Sequence, residues 1–521
     1  MKKYSIFNDV LGPIMHGPSS SHTAASHRIG LMARSILGAP PKRVTITFDR
    51  HGSYGQVFRD QGSDLAFVGG LMGWEMTDDR FFQALDEAQR HGLDLSFIAG
   101  DIAHDDHPNA VFIQLRSAEG HEVTVSARSI GGGSIEINRI DDWPVTITGQ
   151  THELLILADA SAERDLLDLT QAVPTLLNPS DLMKREGRIM VRAGRGTPWT
   201  LDLLKSIKDL PGVSRVRDIP PVFFVPQGPA VIADSQTLVA MAEDRDWSLG
   251  RLALFYETQL LGLTEAEVLA EMGRRLSVME QAVHCGLDEP EQLRPMRLLN
   301  PTAHRIFEAE AEGRLALGGF LTRAATRAIA VMHVNAGMGL VCAAPTGGSS
   351  GVLPGVMVTM LQDLGVGRDR VVMALLAAAA IGLVVLMRGD TYAAEVAGCQ
   401  VEIGSAGAMA AAAVVEMAGG SARQATDAAA IALQNTMGSP CDLVQGAVEI
   451  PCHTRNAVAA SSAFICADLI LGGYENPIPL DDSVDASLAV GRCLPPELRC
   501  TAKGGLSITP SALQLKKMPT R

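Results

Sequence analysis

From Val371 to Leu386 the chain carries sixteen consecutive apolar residues, continued by Met387 and bounded by Arg370 and Arg388. A run like this has two structural solutions, a bilayer span or a helix buried inside a helical domain. Its composition favours the second, because Ala and Gly contribute little transfer free energy and the length is at the short end of a span of about 17–25 residues. The expectation is a buried core helix. Its surroundings point the same way: from about Asp246 onward strand signals almost vanish, and Ala-rich helical segments alternate with Gly/Pro/Ser loops such as Ala344 to Pro354. Small residues let helices approach closely, and the loops between helices are where reactive groups usually sit. The stretch 240–521 therefore reads as an all-α domain.

The chain has 521 residues, too many for one ordinary core, and its 47% hydrophobic and 20% charged residues describe a globular, multidomain protein. Residues 1–150 read as mixed α/β, or α+β. A helix signal runs from Ala24 to Leu37, alternating strands are predicted at Arg43 to Phe48, Ala110 to Leu115 and Glu122 to Ser126, and Asp78 to His91 has helical spacing. Residues 151–225 read as a small βαβ-type module: strands at Glu153 to Ala158, Arg188 to Arg192 and Val213 to Arg217, a polar helix after the first, and a second helix at Thr200 to Leu210. Pro220, Pro221, Pro226 and Pro229 mark a linker.

A net charge of −14 with no Lys/Arg run argues against nucleic-acid and anionic-membrane partners, since both need a positive field. The first residues lack a continuous apolar signal core, which predicts a cytoplasmic address. There the eight cysteines are expected as thiols or metal ligands rather than as a disulfide framework. Three of them lie in unusual frames: Gly398-Cys399, Gly438-Ser439-Pro440-Cys441-Asp442 and Pro451-Cys452-His453-Thr454-Arg455-Asn456. Loops bent by Gly and Pro expose N–H groups that can hydrogen-bond cluster sulfurs, while the thiolates ligate iron directly. A buried core cysteine is the ordinary alternative for each.

These frames resemble those of the bacterial iron–sulfur-dependent L-serine dehydratases, with separations of 42 and 11 between the cysteines. The same family is matched by the segment Gly12 to Thr23, by Ser129 to Gly133, by Asn335 to Gly339 and by Ala344-Pro345-Thr346. The resemblance implies a β-type domain over 1–150, a small regulatory, ACT-like module over 151–225 and an iron–sulfur catalytic domain over 240–521. It further implies a [4Fe–4S] cluster on Cys399, Cys441 and Cys452, with one iron left open to polarise a substrate hydroxyl. Substrate contacts are implied for Ser19, Ser20, Ser21, Thr23, Asn335, Arg455 and Asn456, and His22 and His107 match family histidines. A small-molecule substrate and a homo-oligomer, a dimer, are expected.

Four departures fall at functional positions. Gln61, in Asp60-Gln61-Gly62-Ser63-Asp64, stands where the family has the histidine read as its base, and an amide cannot take a proton near neutral pH. Either a neighbour such as His51, Tyr54 or Asp60 serves instead, or the chemistry has changed. The loop Leu293 to Thr302 replaces small residues by bulk and charge, so that Arg294 or Arg297 could grip a second acidic group. His333 and Cys500 each stand where the family carries Glu, and Cys500 could approach the cluster. Three readings follow: L-serine dehydratase, a cluster-dependent lyase with a different and more acidic substrate, or a non-catalytic cluster-binding relative.

Overall fold

In the computed structural model, which describes residues 3–102, 107–171 and 176–518, the alternating segments near the N-terminus build a six-stranded sheet. Its order is Asp94–Gly100, Pro41–Asp49, Ala110–Ser117, Glu122–Gly131, Ser134–Ile140 and Trp143–Ile147, with the first pair parallel and the rest antiparallel. One face is buried, as alternation requires: Val44, Ile46 and Phe48 pack with Val111, Ile113, Leu115, Val123 and Val125 against Ile29, Met32 and Ile36 of the helix Ala25–Leu37. The three-glycine stretch after Ser129 is the turn between two paired strands, where Gly131, Gly132 and Gly133 all have positive φ.

The small module holds one strand more than its predicted βαβ pattern. Leu176–Arg185 forms a hairpin with Arg188–Arg195 in a four-stranded antiparallel sheet. Its Asn178-Pro179-Ser180-Asp181 sequence looks like a turn, and a strand at the edge of a sheet tolerates that proline. The apolar run Leu154 to Ala158 reflects burial on both faces. Leu154, Ile156 and Ala158 pack against the module's own helices, while Leu155 and Leu157 join the core of the N-terminal sheet.

The rest is helical. Of Val371 to Leu386, every residue but Met373 is buried in the helix Arg368–Gly389, and the second apolar helical stretch, Cys399–Ala418, is likewise 83% buried inside the protein. Both are long and apolar enough to cross a membrane by length and composition alone, yet each is packed within the helical domain. That core also takes in the N-terminal turn: Ile6, Phe7, Val10 and Leu11 lie among its helices. The Glu257 carboxylate accepts hydrogen bonds from the Ser5 hydroxyl (2.5 Å) and from the N–H groups of Ile6 (2.9 Å) and Phe7 (3.1 Å), which anchors the turn. Strand Ile14–His16 then pairs antiparallel with Leu340–Cys342. This pairing delivers the following residues, Gly17 to Thr23, to the end of the helix Phe320–Ala336.

Candidate functional site

The three predicted cysteines converge from separate elements. Gly398 turns the chain with φ +76°, and the Cys399 N–H donates to Ser439 O (3.0 Å), which ties the first frame to the second. A Cβ at Gly398 would lie 2.8 Å from that same carbonyl oxygen, so the position has no room for one. Cys441 is held by its N–H to Leu498 O and by its own carbonyl, which accepts from the Cys500 N–H, both at 2.8 Å. Cys452 opens the helix Cys452–Leu471, whose positive N-terminal end favours a thiolate. Cys441 and Cys452 pack with Met332, Ala394, Leu443, Val448 and the partly buried Cys500.

Arg455, one turn into that helix, binds Pro440 O (2.7 Å) and the Asp442 carboxylate (3.0 Å), and its guanidinium also hydrogen-bonds the Cys399 sulfur. Burial pushes the Cys399 and Cys452 thiols well up, and neighbouring thiolates add to this. For Cys441 the hydrogen bond with Cys500 comes first and burial second. Crowded thiols in an apolar pocket stay protonated unless a cation joins them, which an iron ion would do if bound. Among the described residues no three His, Cys, Asp or Glu side chains stand close enough to share one metal ion. A polynuclear cluster does not require that, because each thiolate binds its own iron. The donor set, three soft thiols with one arginine beside them, fits such a cluster.

The seryl loop faces this pocket across the 346–350 turn. Gly17 approaches the helix Phe320–Ala336 so closely that a Cβ there would lie 2.1 Å from Asn335 O, and Asn335 Nδ2 donates to Pro18 O (3.0 Å). Ser20 Oγ accepts from the Gly347 N–H (3.4 Å). Next along, Asn456 Nδ2 donates to Gly348 O and to Cys452 O, both at 2.9 Å, while its Oδ1 accepts from the Gly351 N–H (3.1 Å). Asn456 is thus a structural tie between loop and cysteine, and Asn335 keeps a buried Oδ1 without a partner. His22 is 1% exposed, with Nδ1 on Ser19 Oγ (3.2 Å) and Nε2 on Ser53 Oγ (3.1 Å). Burial lowers its pKa to about 3, so the ring is neutral. The Thr23 hydroxyl donates to Gln61 O (2.8 Å), and the buried Gln61 side chain donates to Gly446 O (3.3 Å) and leaves Oε1 unpartnered. Ser21 is buried beside them, its carbonyl accepting from Tyr54 Oη (3.2 Å).

Other candidates stand apart. His51 is exposed on the turn after Pro41–Asp49 and joins none of these contacts. His107 shapes its own turn, with Nδ1 accepting from the Asn109 N–H (3.1 Å). The Arg297 guanidinium is already engaged by the Asp60 carboxylate and by Arg59 O, and its backbone N–H is held by Glu449 (2.7 Å). Arg294 lies over the Phe82 ring, 3.2 Å from its centroid. His333 packs against His453 at 5.3 Å between ring centroids, and burial lowers its pKa to about 4.

Two half-buried carboxylates beside the site are absent from its predicted residues. Glu395 takes a long hydrogen bond from Asn109 Nδ2 (3.4 Å), and Glu402 hydrogen-bonds Thr346. Burial, reinforced by Glu395, pushes Glu402 up to about 8. A signal was present for Glu402, as the one acid between Cys399 and the apolar helix Ile403–Ala418.

A family model described as the serine dehydratase alpha chain matches residues 156–507. The probable L-serine dehydratase alpha chain of Bacillus subtilis is 38% identical over 280 residues, covering 54% of this chain and 92% of the relative. The probable beta chain of the same organism is 38% identical over 157 residues, 30% of this chain and 69% of the relative. The L-serine dehydratase of Mycobacterium tuberculosis is 40% identical over 186 residues, 35% of this chain and 40% of that protein. With beta-type and alpha-type regions joined in one polypeptide, the chain belongs to the L-serine dehydratase family.

Proposed function

We propose that this chain is a [4Fe–4S]-dependent lyase that removes water from L-serine, with pyruvate and ammonia as the final products. The observation that carries the reading is the pocket shared by Cys441 and Cys452, to which Cys399 is tied through its N–H on Ser439 O and which Asn456 and Gly347 join to the Ser19–Thr23 loop. When bound, the cluster supplies a Lewis-acidic iron for the substrate hydroxyl. The chain's own residues do the rest. Hydroxyls and N–H groups of Ser19, Ser20 and Ser21 bind the carboxylate, as short polar side chains at a helix start do. The unpartnered oxygens of Gln61 and Asn335 accept from the substrate ammonium, which assigns Gln61 to binding rather than to proton removal. His22, neutral and hydrogen-bonded to a hydroxyl on each side, moves a proton between Ser53 and Ser19 without storing charge.

A cytoplasmic homo-oligomer is part of the same reading. The exposed Val458, Ile465 and Leu469, at helical spacing on Cys452–Leu471, support a contact between copies. The test is a substrate screen on anaerobically purified, iron-loaded protein. Pyruvate from L-serine is expected, while turnover of another hydroxy acid with none of L-serine would overturn the substrate assignment.

A further inference from the structure

A cavity of about 600 Å³ lies where three parts of the chain meet: the helix Ala25–Leu37, the N-terminal turn with the helix Glu265–Asp288, and the linker that leaves the small module. It shares no residue with the cysteine pocket or with the Ser19–Thr23 loop. Its wall is largely aromatic, with Phe7, Trp74, Phe223 and Phe224 among the lining residues. Its charged groups are three guanidiniums, Arg28, Arg274 and Arg275, against two carboxylates, Glu75 and Glu271. His27 adds no charge, since its Nε2 donates to Trp74 O (2.9 Å) and burial lowers its pKa to about 4. Glu271 takes both arginines of its own helix, accepting from Arg274 Nε (2.9 Å) and Nη2 (2.7 Å) and from Arg275 Nη1. Arg275 is further engaged by the carbonyl oxygens of Phe7 and Leu11, and Glu75 is exposed to water.

Arg28 is left without an anion. It is 6% exposed, its Nη1 donates to Gly133 O (2.7 Å), and its guanidinium lies over the Phe223 ring, 4.0 Å from the centroid. Its Nε is buried without a partner among the described residues. Asp9 acts on it only at a distance, its own carboxylate accepting from the Ser5 N–H (2.8 Å). A buried cation with one neutral acceptor is incompletely satisfied, and the cost of burying it falls when an anion joins it. We infer that this cavity binds a small amphipathic monocarboxylate, its carboxylate on Arg28 and its apolar body against Phe7, Phe223 and Phe224. One negative charge is what three guanidiniums and two carboxylates leave unmet, and a planar carboxylate matches the edge of a guanidinium. The aromatic wall offers a bare hydrated anion few further donors, whereas an apolar body covers it and releases water. The helix that carries Arg28 continues directly from the Ser19–Thr23 loop, so an occupant also braces the chain behind that loop.

The experiment is isothermal titration calorimetry on the full-length chain, with hydrocinnamate as the probe and its uncharged amide as the control. One hydrocinnamate should bind per chain with a dissociation constant below about 1 mM, and the amide should bind at least about tenfold more weakly. Neither inorganic phosphate nor L-serine should displace the probe at equal concentration, because the first lacks an apolar body and the second lacks both that body and a net charge. Arg28→Gln removes the cation, and Phe224→Asp sets a negative charge on the rim; each should weaken the probe by at least about tenfold. If Arg28→Gln fails to fold by far-UV circular dichroism, Phe224→Asp decides, since Phe224 is 37% exposed. No binding at about 10 mM hydrocinnamate, equal binding of probe and amide, or undiminished binding to the folded variants would overturn the inference. Displacement by phosphate or by L-serine would overturn the choice of an amphipathic monocarboxylate.

Discussion

Asn456 offers the sharpest test of how the cysteine pocket is joined to the seryl loop. It is fully buried, and its amide makes three hydrogen bonds, to Gly348 O, Cys452 O and the Gly351 N–H. At a net ~1 kcal/mol each, Asn456→Ala should cost roughly 3–4 kcal/mol, including the penalty of leaving the Gly351 N–H without an acceptor. For a domain of this size that corresponds to a fall of about 6–10 °C in the melting temperature of the helical part. Asn456→Asp keeps the shape and the bond from Gly351 but cannot donate, and it sets a negative charge against two carbonyl oxygens. Its loss should equal or exceed that of alanine at neutral pH and shrink on acidification, as a protonated Asp regains one donor. Differential scanning calorimetry at two pH values measures both. Melting temperatures within about 1 °C of the parent for both variants would refute the tie.

Three further outcomes are expected. Gly17→Ala, whose Cβ would meet the Asn335 carbonyl oxygen at 2.1 Å, should lose about 3 kcal/mol or fail to accumulate as folded protein, read from urea midpoints; a neutral substitution would contradict the close approach. Arg297→Ala should cost at most ~1 kcal/mol and leave the KM for L-serine nearly unchanged, because the guanidinium is already spoken for by Asp60; a large rise in KM would return Arg297 to the substrate. Burial raises Glu257 to about 7, so between pH 4.5 and 7 the folded state holds a proton that the unfolded chain releases. Stability should therefore decline as pH rises through that window, and Glu257→Gln should flatten the slope in melting temperature; an unchanged slope would exclude Glu257 as its source.

Strands with clean alternation were legible in the sequence: Arg43 to Phe48, Ala110 to Leu115 and Glu122 to Ser126 each lie inside an observed strand. Asp94–Gly100 was not, because it is a partly exposed edge strand with a weak pattern, and Trp143–Ile147 was not, because Pro144 interrupts a five-residue segment that only a sheet edge accommodates. The seating of Ile6 to Leu11 among the helices could not be read locally either, since its anchor, Glu257, lies some 250 residues away. At the site, the cysteine frames announced themselves through flanking Gly and Pro, whose need appears in the space denied to a Cβ at Gly398. Asn456 was legible as important but not as a tie, because its role depends on Gly348 and Gly351 far along the chain. The placing of Glu395 and Glu402 beside the pocket is a product of packing, which no spacing rule reveals.

Elimination from L-serine is expected to depend on a cluster held by Cys399, Cys441 and Cys452. The most direct measurement is pyruvate formation from L-serine across a series of anaerobic preparations of graded iron content. Activity should rise in proportion to clusters bound and vanish in the iron-free chain. Pyruvate formed by iron-free protein, or none formed at about four irons per chain, would contradict it.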